Sequence, residues 1–281
     1  MEEIILETKE LCKQYHKQTV LKNINMRIPK GCVYGLLGAN GAGKSTLMKI
    51  LCGMTRADAG EVFFDGKIWS RKCIERIGAL IELPPVYENL SAVDNLKVRT
   101  WTLGISDARI LEVLDIVDLK NTGKKQVGKF SMGMKQRLGI AVALLNDPDF
   151  LILDEPANGL DPFGIRQLRE MLVSFAESGM TVLVSSHILG EIQQTADYIG
   201  ILANGVFGIS GWTAGKSGRI VHGNCEQKQG VNGYESIYQG RASEKQTFRM
   251  GKTDGYFSYN IDFMFRIFFV WKCSILSDES V

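Results

Sequence analysis

The chain has 281 residues, of which 45% are hydrophobic and 23% charged, proportions that are ordinary for a globular protein. The formal net charge is +2, so the total charge excludes a strong attraction to nucleic acid, and we predict no nucleic-acid partner. The nearest candidate for a spanning helix, residues 256–276, is interrupted by charged and amide side chains and predicts none. The six cysteines match no zinc-binding spacing, and the acidic N-terminus lacks a secretory signal, which favours a reducing cytosol.

The first part of the chain predicts strands that lead into a helix. The apolar runs IILE, TVLKNINMRI and CVYGLL within residues 1–37 are typical of strands. The third run enters a glycine-rich loop, after which Ser45–Cys52 has the apolar spacing of a helix that Gly53 can end. GEVFFDG, residues 60–66, predicts a further strand and a turn.

The middle of the chain predicts a helical insertion. Apolar residues recur there at helical spacing: Leu96, Ile110, Leu111, Val113, Leu114, Ile116 and Val117. We therefore predict a mostly helical subdomain over about 85–140, inserted between two halves of a sheet.

The pattern then returns to buried strands. DFLILDEP at 149–156 and TVLVSS at 181–186 are apolar runs of strand length. Between them, Asp161-Pro162 supplies an N-cap and a first-turn proline for a helix that Gly179 stops. Strands alternating with helices predict an α/β fold with parallel strands.

The sequence GANGAGKS, residues 38–45, has the spacing of a nucleotide-binding P-loop. Glycines let backbone N–H groups converge on phosphate oxygens, Lys44 would reach the β- and γ-phosphates, and Ser45 would ligate Mg²⁺. A chance glycine-rich turn is the alternative, but this loop follows a strand and opens a helix. The predicted nucleotide-binding residues of the loop are Asn40, Gly41, Gly43, Lys44, Ser45 and Thr46.

Three polar residues follow the later strands. Asp154 fits a Mg²⁺ ligand and Glu155 a general base that polarises the attacking water; the alternative is a solvated strand end. His187 follows TVLVSS and could contact the γ-phosphate, whereas a lone histidine there is more often structural. SMGMKQ, residues 131–136, opens an apolar helix and could bind an anion, although taken alone it is a simple N-cap.

Together these residues resemble the ABC transporter ATPase across residues 4–205. SMGMKQ is similar to the family signature, with Ser131 and Gly133 at its phosphate-contacting positions. NGLD at 158–161 resembles the D-loop, and His187 matches the switch histidine. Tyr15 lies where the family stacks an aromatic ring on adenine.

One residue departs from the family pattern. The loop that leads into the helical subdomain usually carries glutamine, and Glu82 stands there instead. A carboxylate at that place could approach Mg²⁺, but it would repel the γ-phosphate. Glu82 together with SMGMKQ is similar to the bacitracin-type and lantibiotic-immunity exporters.

The resemblance implies an α/β fold: the P-loop NTPase core of an ABC ATPase, with an N-terminal antiparallel β region and the inserted helical subdomain. It implies ATP and Mg²⁺ as ligands, a homodimer that sandwiches ATP between P-loop and signature, and a membrane permease as partner. The expected location is the cytoplasmic face of the membrane. The alternatives are a non-transport ABC ATPase and a degenerate gene product.

The sequence changes character after Gly208. Residues 211–255 lack helical and strand periodicity and are rich in Gly, Gln, Ser and Lys. Codons permitted from Gly208 onward, read one base later, allow a peptide resembling this family's C-terminal helix, a stop across Val231-Asn232, and then a permease-like start. We therefore predict an ATPase domain over 1–208 and a frameshifted or disordered tail over 209–281.

Overall fold

The structure, a computed structural model, describes residues 2–210. From residue 211 on, the predicted tail lies outside the described residues. The strands of the described residues are β1 (Ile4–Tyr15), β2 (Gln18–Pro29), β3 (Val33–Leu37), β4 (Ala59–Phe64), β5 (Lys67–Ile68), β6 (Ile77–Leu80), β7 (Phe150–Leu153), β8 (Thr181–Ser186), β9 (Tyr198–Ala203) and β10 (Val206–Ser210). The α-helices are α1 (Lys44–Leu51), α2 (Ala92–Leu103), α3 (Ala108–Ile116), α4 (Met132–Leu144), α5 (Pro162–Glu177) and α6 (Leu189–Ile192). None of the described helices is long and apolar enough to cross a membrane.

The strands form two sheets. The first is antiparallel, with the order β2-β1-β4-β5. The second has the order β10-β9-β3-β8-β7-β6 and is parallel except for the β9–β10 hairpin. The predicted α/β fold and N-terminal antiparallel region are therefore confirmed.

The centre of the parallel sheet is buried on both faces. Every residue of β3, β7 and β8 is buried, because helices or the other sheet cover both sides of these strands. Phe150, Leu36 and Leu183 belong to one core cluster, which continues into the antiparallel sheet through Leu6 and Ile24. Polar side chains of these central strands can reach solvent or a ligand only where the strands end.

The helical insertion lies between β6 and β7, as predicted. Of the residues at helical spacing, Leu96, Ile110, Val113, Leu114 and Val117 are buried. Leu111 and Ile116, in contrast, are 55% and 44% exposed, so the sequence pattern overstated the buried face of α3.

Local sequence signals explain where several helices begin. The Asp161 carboxylate accepts a hydrogen bond from the Gly164 N–H at 2.7 Å, and Pro162 occupies the first turn of α5, as predicted. Ser131 caps α4 by accepting from the Met134 N–H at 3.3 Å. The N-terminus of α1 differs, because Gly43 precedes it and no side chain within residues 2–210 caps it.

Candidate nucleotide-binding site

The predicted site residues gather at one edge of the parallel sheet. Residues 38–43 follow β3, His187 follows β8, Asp154 and Glu155 follow β7, and Glu82 lies two residues beyond β6. Because β3, β8, β7 and β6 are adjacent and parallel, their carboxyl ends meet at this edge. Ligands of open α/β sheets bind at that edge.

The P-loop backbone is shaped by its glycines. Gly43 has φ 105°, a conformation that side chains rarely adopt, and a Cβ there would meet Leu21 at 2.9 Å. A Cβ at Gly38 would meet the Leu202 carbonyl oxygen at 2.4 Å. The loop therefore needs glycine at both positions. Its tip, Ala39–Gly41, is exposed and precedes the first turn of α1, whose N–H groups no side chain of the described residues caps. Such a helix N-terminus attracts phosphate.

Lys44 is the buried cation of the site. Its side chain is 5% exposed, and Nζ donates to the carbonyl oxygens of Gly38 at 2.7 Å and Ala39 at 3.2 Å. Nζ also lies 3.0 Å from Glu155 Oε1. A buried ammonium group this close to the loop backbone is placed to meet an anion that the loop binds.

Glu155 stands between Lys44 and His187. Its Oε2 lies 2.7 Å from His187 Nδ1, and its Oε1 forms the ion pair with Lys44. Oε1 is buried, and among residues 2–210 its one close polar neighbour is the Lys44 ammonium, whose approach does not have hydrogen-bond geometry. The backbone of Glu155 has φ 48°, a left-handed conformation that is costly for a residue with a side chain.

Asp154 is fixed by a residue that sequence analysis missed. Ser185 Oγ donates to Asp154 Oδ1 at 2.6 Å and accepts from the Glu155 N–H at 2.8 Å. Ser185 is fully buried on β8, next to β7, and thus orients both acids. Its sequence signal was weak, because Ser185 is one of three hydroxyl residues in the buried strand TVLVSS.

The residues present fit Mg²⁺ bound together with a nucleotide. Asp154 supplies a nearly buried carboxylate, and the half-buried Ser45 hydroxyl makes no hydrogen bond within the described residues. No group of three or more His, Cys, Asp or Glu within residues 2–210 could hold a metal on its own. In enzymes that bind nucleotides, Mg²⁺ is usually held by one or two protein oxygens together with phosphate oxygens of the substrate.

Glu82, the third predicted metal ligand, is paired elsewhere in this structure. Lys49 Nζ lies 2.5 Å from Glu82 Oε1, and the Glu82 side chain is 64% exposed. Sequence analysis did not single out Lys49, because the two residues are 33 positions apart.

Tyr15 ends β1 and is 44% exposed. Lys13 Nζ lies 5.1 Å from the centroid of its ring, and Lys13 is itself held by Asp58 Oδ1 at 2.8 Å. An exposed ring held in place on the chain offers a flat surface for a purine.

Ser131 and Gly133 lie apart from the strand-end cluster. Within the described residues, neither forms a hydrogen bond with Lys44, Asp154, Glu155 or His187. They lie instead beside the predicted D-loop, where a Cβ at Gly133 would meet Leu160 Cδ2 at 3.4 Å. A Cβ at Gly159 would similarly meet Met132 at 3.3 Å.

The fold and the strand-end cluster define a P-loop ATPase. The model of the ABC transporter family matches residues 21–158. The lantibiotic transport ATP-binding protein SrtF of Streptococcus pyogenes is 54% identical over 201 residues, 72% of this chain and 88% of the relative. The bacitracin transport ATP-binding protein BcrA of Bacillus licheniformis is 44% identical over 209 residues, 72% of this chain and 67% of the relative.

A solved structure agrees with these relatives. The cbiO1 structure from Clostridium perfringens, part of the ABC transporter complex cbiONQ, has a TM-score of 0.66 at 30% identity and covers 74% of this chain and 89% of its own. The chain therefore belongs to the ABC transporter family, as an ATP-binding subunit that hydrolyses ATP. The predicted similarity to the lantibiotic and bacitracin transport proteins is confirmed.

Proposed function

We propose that this ATPase energises the export of peptide antibiotics of the lantibiotic or bacitracin type through a separate membrane permease. Two relatives with 54% and 44% identity carry those transport names, which supports the substrate class. The chain would act at the cytoplasmic face of the membrane, bound to its permease. A transport step is driven only if ATP binds one conformation of the assembly much better than the other.

The observation that carries the catalytic proposal is the linked set Lys44–Glu155–His187. Lys44 and the backbone N–H groups of the loop, with Asn40, Gly41, Gly43 and Thr46, bind the phosphates. Glu155, whose carboxylate lies between Lys44 and His187, accepts the proton of the attacking water. His187, 2.7 Å from Oε2, holds the carboxylate in place and contacts the γ-phosphate. Tyr15 stacks on the adenine.

Ser45 and Asp154 would hold Mg²⁺. When bound, the ion neutralises phosphate charge in the transition state. Asp154 is suited to this task because Ser185 fixes one carboxylate oxygen at 2.6 Å. Glu82 would join this set only by leaving Lys49.

The signature residues support a site that two copies complete. Ser131 and Gly133 lie at the N-terminus of α4, which the Ser131 hydroxyl caps, and a Cβ at Gly133 would meet the D-loop residue Leu160. Because they do not join the cluster of their own chain, we propose that they contact ATP bound to a second copy. Exposed apolar side chains in the helical subdomain and the loop that leads into it, Leu83, Tyr87 and Trp101, support a further protein partner, the permease.

We propose residues 1–208 as the ATPase domain and a frameshift as the origin of residues 209–281. The loss of helical and strand periodicity in the sequence after Gly208 supports a boundary of this kind. Resequencing of the gene tests it: an intact reading frame at codon 208 in several strains contradicts the frameshift.

Antibiotic protection tests the transport function. The chain is produced in a susceptible strain together with the permease of a lantibiotic or bacitracin exporter, and the growth-inhibiting concentrations of a lantibiotic and of bacitracin are measured. Protection against either peptide that is lost in Glu155→Gln supports the proposal. Equal sensitivity with and without the active chain, at equal protein levels, contradicts it.

A further inference from the structure

Glu82 carries a negative charge at the edge of the proposed phosphate site, and one cation compensates it. Lys49 Nζ lies 2.5 Å from Glu82 Oε1. At this distance the Lys49 ammonium offsets the charge of the Glu82 carboxylate.

Lys49 occupies the open face of α1. The apolar residues of this helix are buried, whereas Ser45, Thr46 and Lys49 are half-buried. Residues four positions apart share one face of a helix, so Lys49 lies one turn beyond Ser45 on the same side. The cation that compensates Glu82 thus comes from the helix that begins at the P-loop.

Glu82 in turn belongs to the loop that joins the sheet to the helical subdomain. It follows Leu80, whose carbonyl oxygen accepts from the Asp154 N–H at 2.9 Å, so Glu82 and Asp154 leave neighbouring strands together. Its backbone has φ 65°, again a left-handed conformation. Two residues later, at Pro84, the loop packs closely on α4. A Cβ added at Gly139 of this helix would lie 3.0 Å from Pro84 Cβ.

The ion pair is too exposed to be explained by stability. The Lys49 and Glu82 side chains are 33% and 64% exposed, and exposed pairs contribute little to folding. An uncompensated carboxylate at this place would, however, repel a polyphosphate that binds to the nearby loop. The pair therefore matters most for the ligand.

We propose that Lys49 is a positioning residue that acts through Glu82: it neutralises and holds the Glu82 carboxylate so that ATP can bind beside it. This proposal rests on the assignment of residues 38–46 as the phosphate site. It explains how the chain tolerates a carboxylate where the family pattern has an uncharged amide. It also predicts that the effect of Lys49 on ATP affinity is coupled to residue 82: Lys49 should raise this affinity only while residue 82 is charged.

A double-mutant cycle tests this coupling. The affinity of a fluorescent ATP analogue is measured in EDTA and low salt for the full-length chain, Lys49→Met, Glu82→Gln and the double variant. We expect Lys49→Met to weaken binding about tenfold in the native background and less than about twofold in the Glu82→Gln background. In 0.5 M salt the native-background loss should shrink to about twofold, because screening weakens the repulsion.

Controls separate this proposal from the one it rests on. Lys120→Met removes a lysine from a surface pair with Asp115, at 3.2 Å, and should leave affinity unchanged. Lys44→Ala should abolish tight binding; unchanged affinity there would contradict the phosphate site itself. With Lys44→Ala behaving as expected, an equal loss from Lys49→Met in both backgrounds, or no loss in the native one, would overturn the role of Lys49.

Discussion

Glu155 Oε2 and His187 Nδ1 are 2.7 Å apart, and this contact joins the ends of two adjacent parallel strands. The other oxygen of the same carboxylate faces Lys44 at 3.0 Å. One acid thus touches both the cation of the P-loop and the histidine of the neighbouring strand. This arrangement assigns His187 a role in holding the base, as well as its predicted contact with phosphate.

Replacement of His187 with alanine should therefore reduce turnover more than binding. We expect ATP hydrolysis to fall about 100-fold, the scale of a misplaced acid–base group, while ATP affinity changes less than about threefold. Steady-state phosphate release and equilibrium nucleotide binding measure the two effects. A parallel loss of both would indicate that His187 mainly supports binding.

Ser185→Ala should impair the site indirectly, through Asp154 and Glu155. The substitution leaves the Glu155 N–H and one oxygen of Asp154 without their buried partner, at a cost of about 1–3 kcal/mol in the free energy of unfolding. Turnover should fall about tenfold, because both acids lose their fixed position. Ser174→Ala, an exposed serine on α5, is the matched control and should change neither quantity. Native-like activity of Ser185→Ala would contradict the orienting role.

Asp65 should give the folded chain a pH-dependent contribution to stability. Lys30 Nζ at 2.8 Å and Arg76 Nη1 at 3.1 Å hold the pKa of this carboxyl below its ordinary value, with Lys30 the larger cause. A lowered pKa in the folded state stabilises the fold above the ordinary pKa of about 4, and this contribution disappears as the pH falls through the lowered value.

Asp65→Asn should thus lower the free energy of unfolding by about 1 kcal/mol at pH 7, a discounted value for a partly exposed pair. The difference from the native chain should vanish in strong acid. Denaturant unfolding at a series of pH values measures it. A difference that stays constant from pH 7 to pH 3 would show that the ion pairs are not its source.

Ser131→Arg tests the composite site. A bulky cation at the start of α4 should leave ATP binding to the single chain intact but block the ATP-dependent dimer. Sedimentation of Ser131→Arg in a Glu155→Gln background, where bound ATP persists, measures the dimer. Ser174→Arg serves as the control. Dimers that form normally with arginine at position 131 would contradict the signature role.

Much of this fold could be predicted because its signals are local. The P-loop spacing, the Asp161-Pro162 cap and the apolar runs of β7 and β8 each specify their own backbone. The placement of Asp154 and His187 at one edge then follows from parallel strands alone. Such features can be predicted without knowing which side chains are in contact.

The rest depended on contacts between distant residues. Ser185 lies 31 positions from Asp154, and Lys49 lies 33 from Glu82, so no local pattern indicates either pair. Leu111 shows the converse, because its spacing fits the buried face of α3 although its side chain is 55% exposed. Packing between elements decides which residues are buried or in contact, and the helical period alone does not determine that packing.

Glu155 is the proposed base of ATP hydrolysis and the centre of the strand-end site. The most direct measurement compares phosphate release by the full-length native chain and Glu155→Gln at saturating ATP and Mg²⁺, with ATP affinity measured alongside. We predict that Glu155→Gln binds ATP at least as tightly as the native chain and releases phosphate at least about 100-fold more slowly. Hydrolysis by Glu155→Gln within about threefold of the native rate would contradict the assignment.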